Sequence, residues 1–258
     1  MKIVGIIQAR MGSTRLPGKV LADVHGQPML KWLLDRLHSV KLIDEIVVAT
    51  TVLPEDDRLV DWLSDNKVEY FRGSEDDVLE RFHECAKKYQ ADLVVRITAD
   101  DPLKDPGIIA QAIAMVAEHP EVDYCSNSIT PSYPEGLDIE VFRFSALEKS
   151  FQEARLSSER EHVTPYIWKN PTIFKITSFM LDRDLSHWRW TVDKPDDLRF
   201  IRAIYQEFIY EPLVPFAKII SFLERNPKIM EINSAIAVRN EGYLKSLSLE
   251  KNELKSQK

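Results

Sequence analysis

IIQARMGSTRLPGKVL, residues 6–21, opens as a buried β-strand and changes character within two residues. Arg10, Arg15 and Lys19 crowd into ten positions with Gly12, Pro17 and Gly18. The whole chain carries a formal net charge of −7, so this positive cluster is local and asks for a local anion. Ligands of open α/β sheets sit at the carboxyl ends of the strands, where this loop falls. Arginine grips phosphate oxygens bidentately and lysine acts on them as a point charge. With the backbone N–H groups of Gly12 and Ser13, the three cations suit a triphosphate. A solvated turn whose charges pair with acidic neighbours is the plainer alternative. Two familiar nucleotide loops do not fit. The P-loop needs four residues between its glycines and a hydroxyl after its lysine; here five residues separate Gly12 from Gly18, and Val20 follows Lys19. The Gly-x-Gly-x-x-Gly dinucleotide fingerprint is absent as well.

Outward from this loop the first half alternates strand and helix patterns. Residues 2–7, 44–51, 68–73 and 92–98 are β-branched runs bounded by polar residues and read as strands. Residues 28–40, 55–66, 76–89 and 105–119 carry helical spacing, with proline or acidic residues at their starts. Strands separated by such helices pair in parallel through right-handed crossovers, which makes an α/β open sheet. The second half is less regular: 123–127, 137–144, 174–181 and 188–193 read as strands, and 145–155, 160–170, 195–208 and 215–227 as helices. No Gly/Ser- or Pro-rich linker divides the 258 residues. One mixed, mostly parallel sheet is expected, in a single domain over 1–248 with a regular half (1–130) and a less regular one (131–248). A frayed tail (249–258) follows.

Composition excludes several classes. The acidic balance argues against a nucleic-acid binder, which needs a broad basic face. The apolar run before Arg10 is too short for a signal segment or a bilayer span. Cys85 and Cys125 lie far apart with no Cys-x-x-Cys spacing, so no disulfide framework or zinc site is expected and a reducing cytoplasm is. Both sit in apolar patterns and read as inert core thiols; Trp188, Trp190 and Phe179 read as core rather than as a stacking platform.

Acidic residues recur at strand ends. RITADDP places Asp100 and Asp101 after a buried strand, and RWTVDKPDD places Asp193 in the same position. Capping ahead of a proline is one reading. The other is magnesium, which takes one or two carboxylates plus phosphate oxygens and water. FRGSEDDVLERF has Ser74 as a helix cap ahead of Glu75, Asp76 and Asp77, which leaves Arg72 unexplained. In YPEGLDIEVF, Asp138 and Glu140 share a strand face, either a solvated one or a wall accepting sugar hydroxyls. In EREHVTPY, Arg160 and His162 are structural residues or contacts for an anionic sugar.

QARMGSTRLPGK resembles the nucleotide-binding loop of the sugar cytidylyltransferases, the synthetases of CMP-3-deoxy-manno-octulosonate and of CMP-nonulosonic acids. The closer match is the spore-coat polysaccharide biosynthesis cytidylyltransferase family. It is similar, in order, in KVLADVHGQPMLKWLLDRL, FRGSEDDVLERF, VVRITADDPLKDP, YPEGLDIEVF, EREHVTPYI, WTVDKPDDL and RNEGYLKSL. The resemblance implies a GT-A-like, Rossmann-like nucleotidyltransferase fold, a Mg²⁺ cofactor and a homodimer, with 1–130 as the nucleotide-binding half and 131–248 as the half for sugar, metal and possible dimerisation. It further implies nucleotide contacts from Ala9, Arg10, Gly12, Ser13, Arg15, Lys19, Arg72, Ser74 and Asp100. Catalysis would fall to Arg10, Arg15, Lys19 and Asp100, metal binding to Asp100 and Asp193, with Asp101 behind them, and sugar contacts to Asp138, Glu140, Arg160 and His162. The expected reaction is transfer of CMP from CTP to an acidic keto-sugar with release of pyrophosphate. The rivals are a glycosyltransferase, weakened by the lack of Asp-x-Asp spacing in ADDP, and a nucleotide-sensing protein. A different nucleoside triphosphate or a phosphonate acceptor also remains open at this point.

Overall fold

The computed structural model describes residues 1–235 and 239–256, with side chains through Lys251. Four strands read from sequence form the parallel half of one sheet: β1 (Ile3–Gln8), β4 (Glu45–Thr51), β5 (Tyr70–Gly73) and β6 (Leu93–Thr98). Their order is β5-β4-β1-β6, and the sheet continues through β8 (Glu140–Arg143), β7 (Tyr124–Ser126) and β9 (Ile176–Ser178). β8 runs antiparallel to both of its neighbours, and β9 is parallel to β7. A short hairpin, β2 (Asp23–Val24) and β3 (Gln27–Pro28), follows the first loop. The expected mixed, mostly parallel open sheet is present, and it spans both halves of the chain.

The central strands read as unbroken apolar runs because both faces are covered. Ile3 and Ile7 of β1 pack on one side with α1 (Met29–His38), α2 (Asp57–Asp65), α4 (Pro106–Ala117), α8 (Pro195–Glu207) and α9 (Phe216–Arg225). Val4 and Ile6 pack on the other with α3 (Val78–Lys88) and α5 (Phe144–Glu153). From β1 the chain builds outward through β4 and β5, then returns to the opposite side of β1 as β6. The two strands diverge in connection at this switch point, which opens a crevice beyond Gln8 and Thr98. The loop of residues 9–18 therefore faces Asp100.

Several boundaries differ from the sequence reading, each for a physical reason. Residues 188–193 form no strand; the segment is extended with one bridge, Arg189 to Glu135. Its amides are engaged outside the sheet, Trp190 N–H to the Glu135 carbonyl (2.7 Å) and Val192 N–H to the Asp100 carbonyl (2.9 Å). The helix read over 160–170 is two short ones, α6 (Ser157–His162) and α7 (Pro165–Trp168), broken at Val163 with φ 71°. Val163 ends α6 in left-handed geometry, and Pro165, whose missing N–H costs nothing at a first helical position, opens α7. α3 is capped by Asp77, whose carboxylate accepts from Glu80 N–H (2.9 Å); Ser74 accepts from Asp77 N–H instead (3.1 Å). α10 (Pro227–Met230) precedes α11 (Glu241–Ser256), which carries helix into the segment read as a frayed tail. Trp188, Trp190 and Phe179 are buried in the core. So are both cysteines, whose thiols burial pushes up to about 12.

One glycine is required by a close approach. Gly136 has φ +104°, and a Cβ there would lie 2.7 Å from the Trp190 carbonyl carbon and 2.8 Å from Thr191 N. This contact seats the 133–138 turn against the segment leading to Asp193. Gly136→Ala should destabilise the protein by about 1–3 kcal/mol, the cost of forcing a side chain into that backbone region. Urea denaturation checks it, and an unchanged midpoint would contradict the packing.

Candidate active site

Lys19 lies in a 3-10 turn, Lys19–Leu21, entered through Gly18 in left-handed geometry (φ 69°). The turn sends the side chain under the sheet edge, where it is only 11% exposed. Its ammonium donates to Asp100 Oδ2 (2.7 Å), Asp193 Oδ1 (2.8 Å) and the Val192 carbonyl (2.8 Å). Burial works against this ammonium, but the two carboxylates outweigh it and hold its pKa above the ordinary lysine value. Burial would likewise raise Asp193; Lys19, Arg15 and Arg189 together draw it below the usual carboxylate range. Arg15 reaches the same oxygen of Asp193 (2.8 Å) and also Glu241 of α11 (2.6 Å).

A layer of buried polar residues fixes Asp193. Arg189 bonds Asp193 (3.0 Å), Glu135 (2.6 Å) and Asp197 (3.0 Å). Asp197, fully buried at the start of α8, also accepts from the backbone N–H groups of Asp193 and Lys194, both at 3.0 Å, and from the Asn233 amide at 3.0 Å. The carboxylate thus has its orientation set by a saturated network, which a buried charge requires.

Beside these carboxylates opens a cavity of about 540 Å³ whose lining includes Arg15, Asp100, Asp193, Asp138, Glu140 and His162. Charges there are paired. Glu140 binds Arg96 and accepts from Tyr124 (2.6 Å) and Thr164. Burial alone would raise Glu140, but Arg96 and the two hydroxyl donors bring it below its ordinary value. Asp138 pairs with Arg239, and Lys104 pairs with Asp101 (2.9 Å) while also donating to the Asp138 carbonyl. Burial dominates at Asp101 and Asp138 and raises both. Burial also holds His162 below the ordinary histidine value.

A cytidylyltransferase family model matches residues 4–212. The chain belongs to the cytidylyltransferase family. It is a CTP-dependent nucleotidyltransferase. The chain is 32% identical over 236 residues to the spore coat polysaccharide biosynthesis protein SpsF of Bacillus subtilis, across 87% of this chain and 95% of that one. It is 38% identical over 124 residues to the 3-deoxy-manno-octulosonate cytidylyltransferase of Geobacter sulfurreducens, covering 47% of this chain and 48% of that one. A cytidylyltransferase structure from Leptospira borgpetersenii superposes with a TM-score of 0.85 at 34% identity, covering 89% of this chain and 97% of that chain.

Within this cytidylyltransferase, Arg15, Lys19, Asp100 and Asp193 converge at one point, and Asp138, Glu140 and His162 line the adjoining cavity. The other residues singled out from sequence lie apart from that point. Ala9 is buried at the end of β1, its N–H bonded to the Ala49 carbonyl (3.2 Å). Arg10 is half exposed, 3.7 Å from Glu75. Gly12 lies against the Glu55 side chain, and Ser13 N–H turns back to the Met11 carbonyl (2.9 Å). Arg72 ties down the loop after β4, through the Thr51 and Leu53 carbonyls (2.8 and 2.9 Å) and Asp57 (2.7 Å). Ser74 is engaged at the start of α3. Arg160 is held by Asp77 (2.5 Å) and is not among the cavity's lining residues.

Sequence reading passed over Arg96, Lys104, Arg189, Asp197 and Arg239. Arg96 carried a signal, as the lone charge inside the apolar run LVVRIT. Glu140→Gln tests the paired lining. Removing one partner of a buried pair should cost about 3 kcal/mol at pH 7. Because the folded-state pKa of Glu140 is depressed, its stabilisation is present above the unfolded value near 4.3 and is lost as pH falls through the folded value. Urea denaturation should show the gap between variant and wild type narrowing below about pH 4; a constant gap would overturn the ion-pair account.

Proposed function

We propose that this cytidylyltransferase transfers CMP from CTP to a hydroxyl of an acidic keto-sugar of the octulosonic or nonulosonic type, releasing pyrophosphate, in the synthesis of a surface polysaccharide or glycan. One observation carries the reading: a cation-bearing loop delivers Lys19 to two carboxylates at the rim of a cavity walled with hydroxyl acceptors. The similarity to a spore coat polysaccharide biosynthesis protein of Bacillus and to a 3-deoxy-manno-octulosonate cytidylyltransferase of Geobacter supports a sugar acid as acceptor.

In nucleotidyl transfer the protein positions its reactants in line and neutralises phosphate charge. The acceptor hydroxyl in the cavity attacks the α-phosphorus, the bond from that phosphorus to the pyrophosphate oxygen breaks, and the hydroxyl proton is released. Arg15 and Lys19 meet the departing pyrophosphate. To do so they exchange the carboxylates they hold in the free protein for phosphate oxygens.

Asp100 and Asp193 fit a magnesium ion. Their oxygens converge on one point, taken here by the Lys19 ammonium, and the donors are all oxygen, as magnesium prefers. Among the described residues no group of three or more His, Cys, Asp or Glu side chains is placed to hold a metal ion, so water and phosphate oxygens would complete the shell. Such an ion supplies charge neutralisation at the phosphates and lowers the pKa of the attacking hydroxyl. The local charge balance supports it: Lys19, Arg15, Arg189 and Lys194 face Asp100, Asp193, Glu135, Asp197 and Glu241. Four cations among five carboxylates leave the site net negative, so a triphosphate needs positive company.

Pyrophosphate release, measured with each of CTP, UTP, GTP and ATP over a panel of octulosonic and sialic-type acids, tests the reading. Turnover is expected with CTP and at least one acid. Lys19→Ala and Asp100→Asn should each lower it about 100-fold or more, the loss of one transition-state charge partner. Wild-type rates in either variant would overturn the assignment.

A further inference from the structure

The cavity beside Asp193 has two chemically different parts. One is the paired-charge lining of Glu140, Asp138 and Asp101. The other is apolar and aromatic: Ile129, Trp168 and Tyr243. Tyr243 lies in the first turn of α11, beyond the residues 4–212 that the family model matches. Its ring stands 5.8 Å from Trp168 at 73° and 5.1 Å from His162 at 84°, both edge-to-face. Lys169 Nζ lies 5.6 Å from the centroids of both Trp168 and Tyr243. The helix is held in place at either side of this ring: Glu241 binds Arg15 (2.6 Å), and Ser246 bonds His162 (3.0 Å) and Glu161 (2.6 Å).

The Tyr243 hydroxyl is buried with no partner among the described residues. The ring, not the hydroxyl, is therefore the part Tyr243 gives to the cavity. Rings in edge-to-face contact are rigid and present flat apolar area at little entropic cost. A polyhydroxylated ligand gains nothing from them through its hydroxyls; it gains through carbon-bound hydrogens and methyl groups. Within the proposed reaction, on which this inference rests, we propose that Tyr243 and Trp168 are specificity-determining residues: they form an apolar wall that receives a carbon-rich face or acyl substituent of the acceptor. The acids and hydroxyls of the opposite lining read its hydroxyl groups. This favours an N-acylated nonulosonic acid over an octulosonic acid, which has no acyl group to place there.

The test is steady-state pyrophosphate release by the full chain with N-acetylneuraminate and with 3-deoxy-manno-octulosonate, alongside quenching of tryptophan fluorescence by each acid without nucleotide. Tyr243→Ala should raise the acceptor KM about tenfold, leave the KM for CTP within about twofold, and penalise the N-acylated acid more than the octulosonate. Tyr243→Phe keeps the ring and should behave as wild type. Trp168→Phe should remove most of the quenching. Equal acceptor KM values in wild type and Tyr243→Ala, or a parallel rise in the KM for CTP, would overturn the wall; a lowered melting temperature with unchanged KM would assign Tyr243 to packing alone. Quenching by an acid without turnover would keep the wall and overturn cytidylyl transfer to that acid. Neither quenching nor turnover across both acids would overturn both.

Discussion

The ammonium of Lys19, shared between Asp100 and Asp193, joins three separate parts of the chain at one point. It belongs to the loop after β1, Asp100 to the end of β6, and Asp193 to the extended segment before α8. Removing a single partner of a buried pair leaves an uncompensated charge, which costs more than the pair itself contributes. The three side chains are thus interdependent, and so are the loop conformation and the position of the 188–193 segment. The strand order explains why the meeting occurs here. With β1 beside β6 and the chain departing from them to opposite sides, their carboxyl ends bound an open crevice.

The position of Asp193 is set less by secondary structure than by polar bonding. Residues 188–193 have few ladder partners, yet the segment is closely specified. Gly136 lets the neighbouring turn touch its backbone, Asp197 collects its N–H groups, and Arg189 anchors it to Glu135 and Asp197. Helix α8 matters to the site through this first turn, where Asp197 meets orphan backbone donors as well as Arg189. Rigid placement of a carboxylate by a buried, satisfied network is the kind of preorganisation on which charge stabilisation relies.

How much of this was legible in the sequence follows from what each element depends on. β1, β4 and β6 are buried on both faces, so their apolar runs mark them to within a residue or two. Arg15, Lys19, Asp100 and Asp193 were singled out by their charge and by the family resemblance, and the structure brings these four together. Residues 188–193 misled because tryptophan, threonine and valine favour strands, whereas the segment's amides bond a turn and the Asp100 carbonyl. Arg72 and Arg160 carry charge in motif positions, but pairing with Asp57 and Asp77 is a tertiary fact without a local signature. Arg239 and Tyr243 come from the far end of the chain, where no periodicity announces that they return to the cavity.

The pairing of charge inside the cavity has a consequence for any ligand. Arg96 is committed to Glu140, Lys104 to Asp101, Arg239 to Asp138, and Arg15 to Asp193 and Glu241. Hydroxyl groups can enter without disturbing these pairs, since a carboxylate has lone pairs to spare. An anionic group cannot; it must displace a resident carboxylate or bring a cation. Of these pairs, Arg15–Glu241 is the most open, both side chains being more than one-third exposed, and exposed pairs are worth little. It is therefore the first to exchange. Glu241 sits two residues before Tyr243 on the same helix, so the carboxylate that yields to an entering phosphate is carried by the element that walls the acceptor side. Nucleotide entry and the shape of the acceptor cavity are in this way tied to one short stretch of α11.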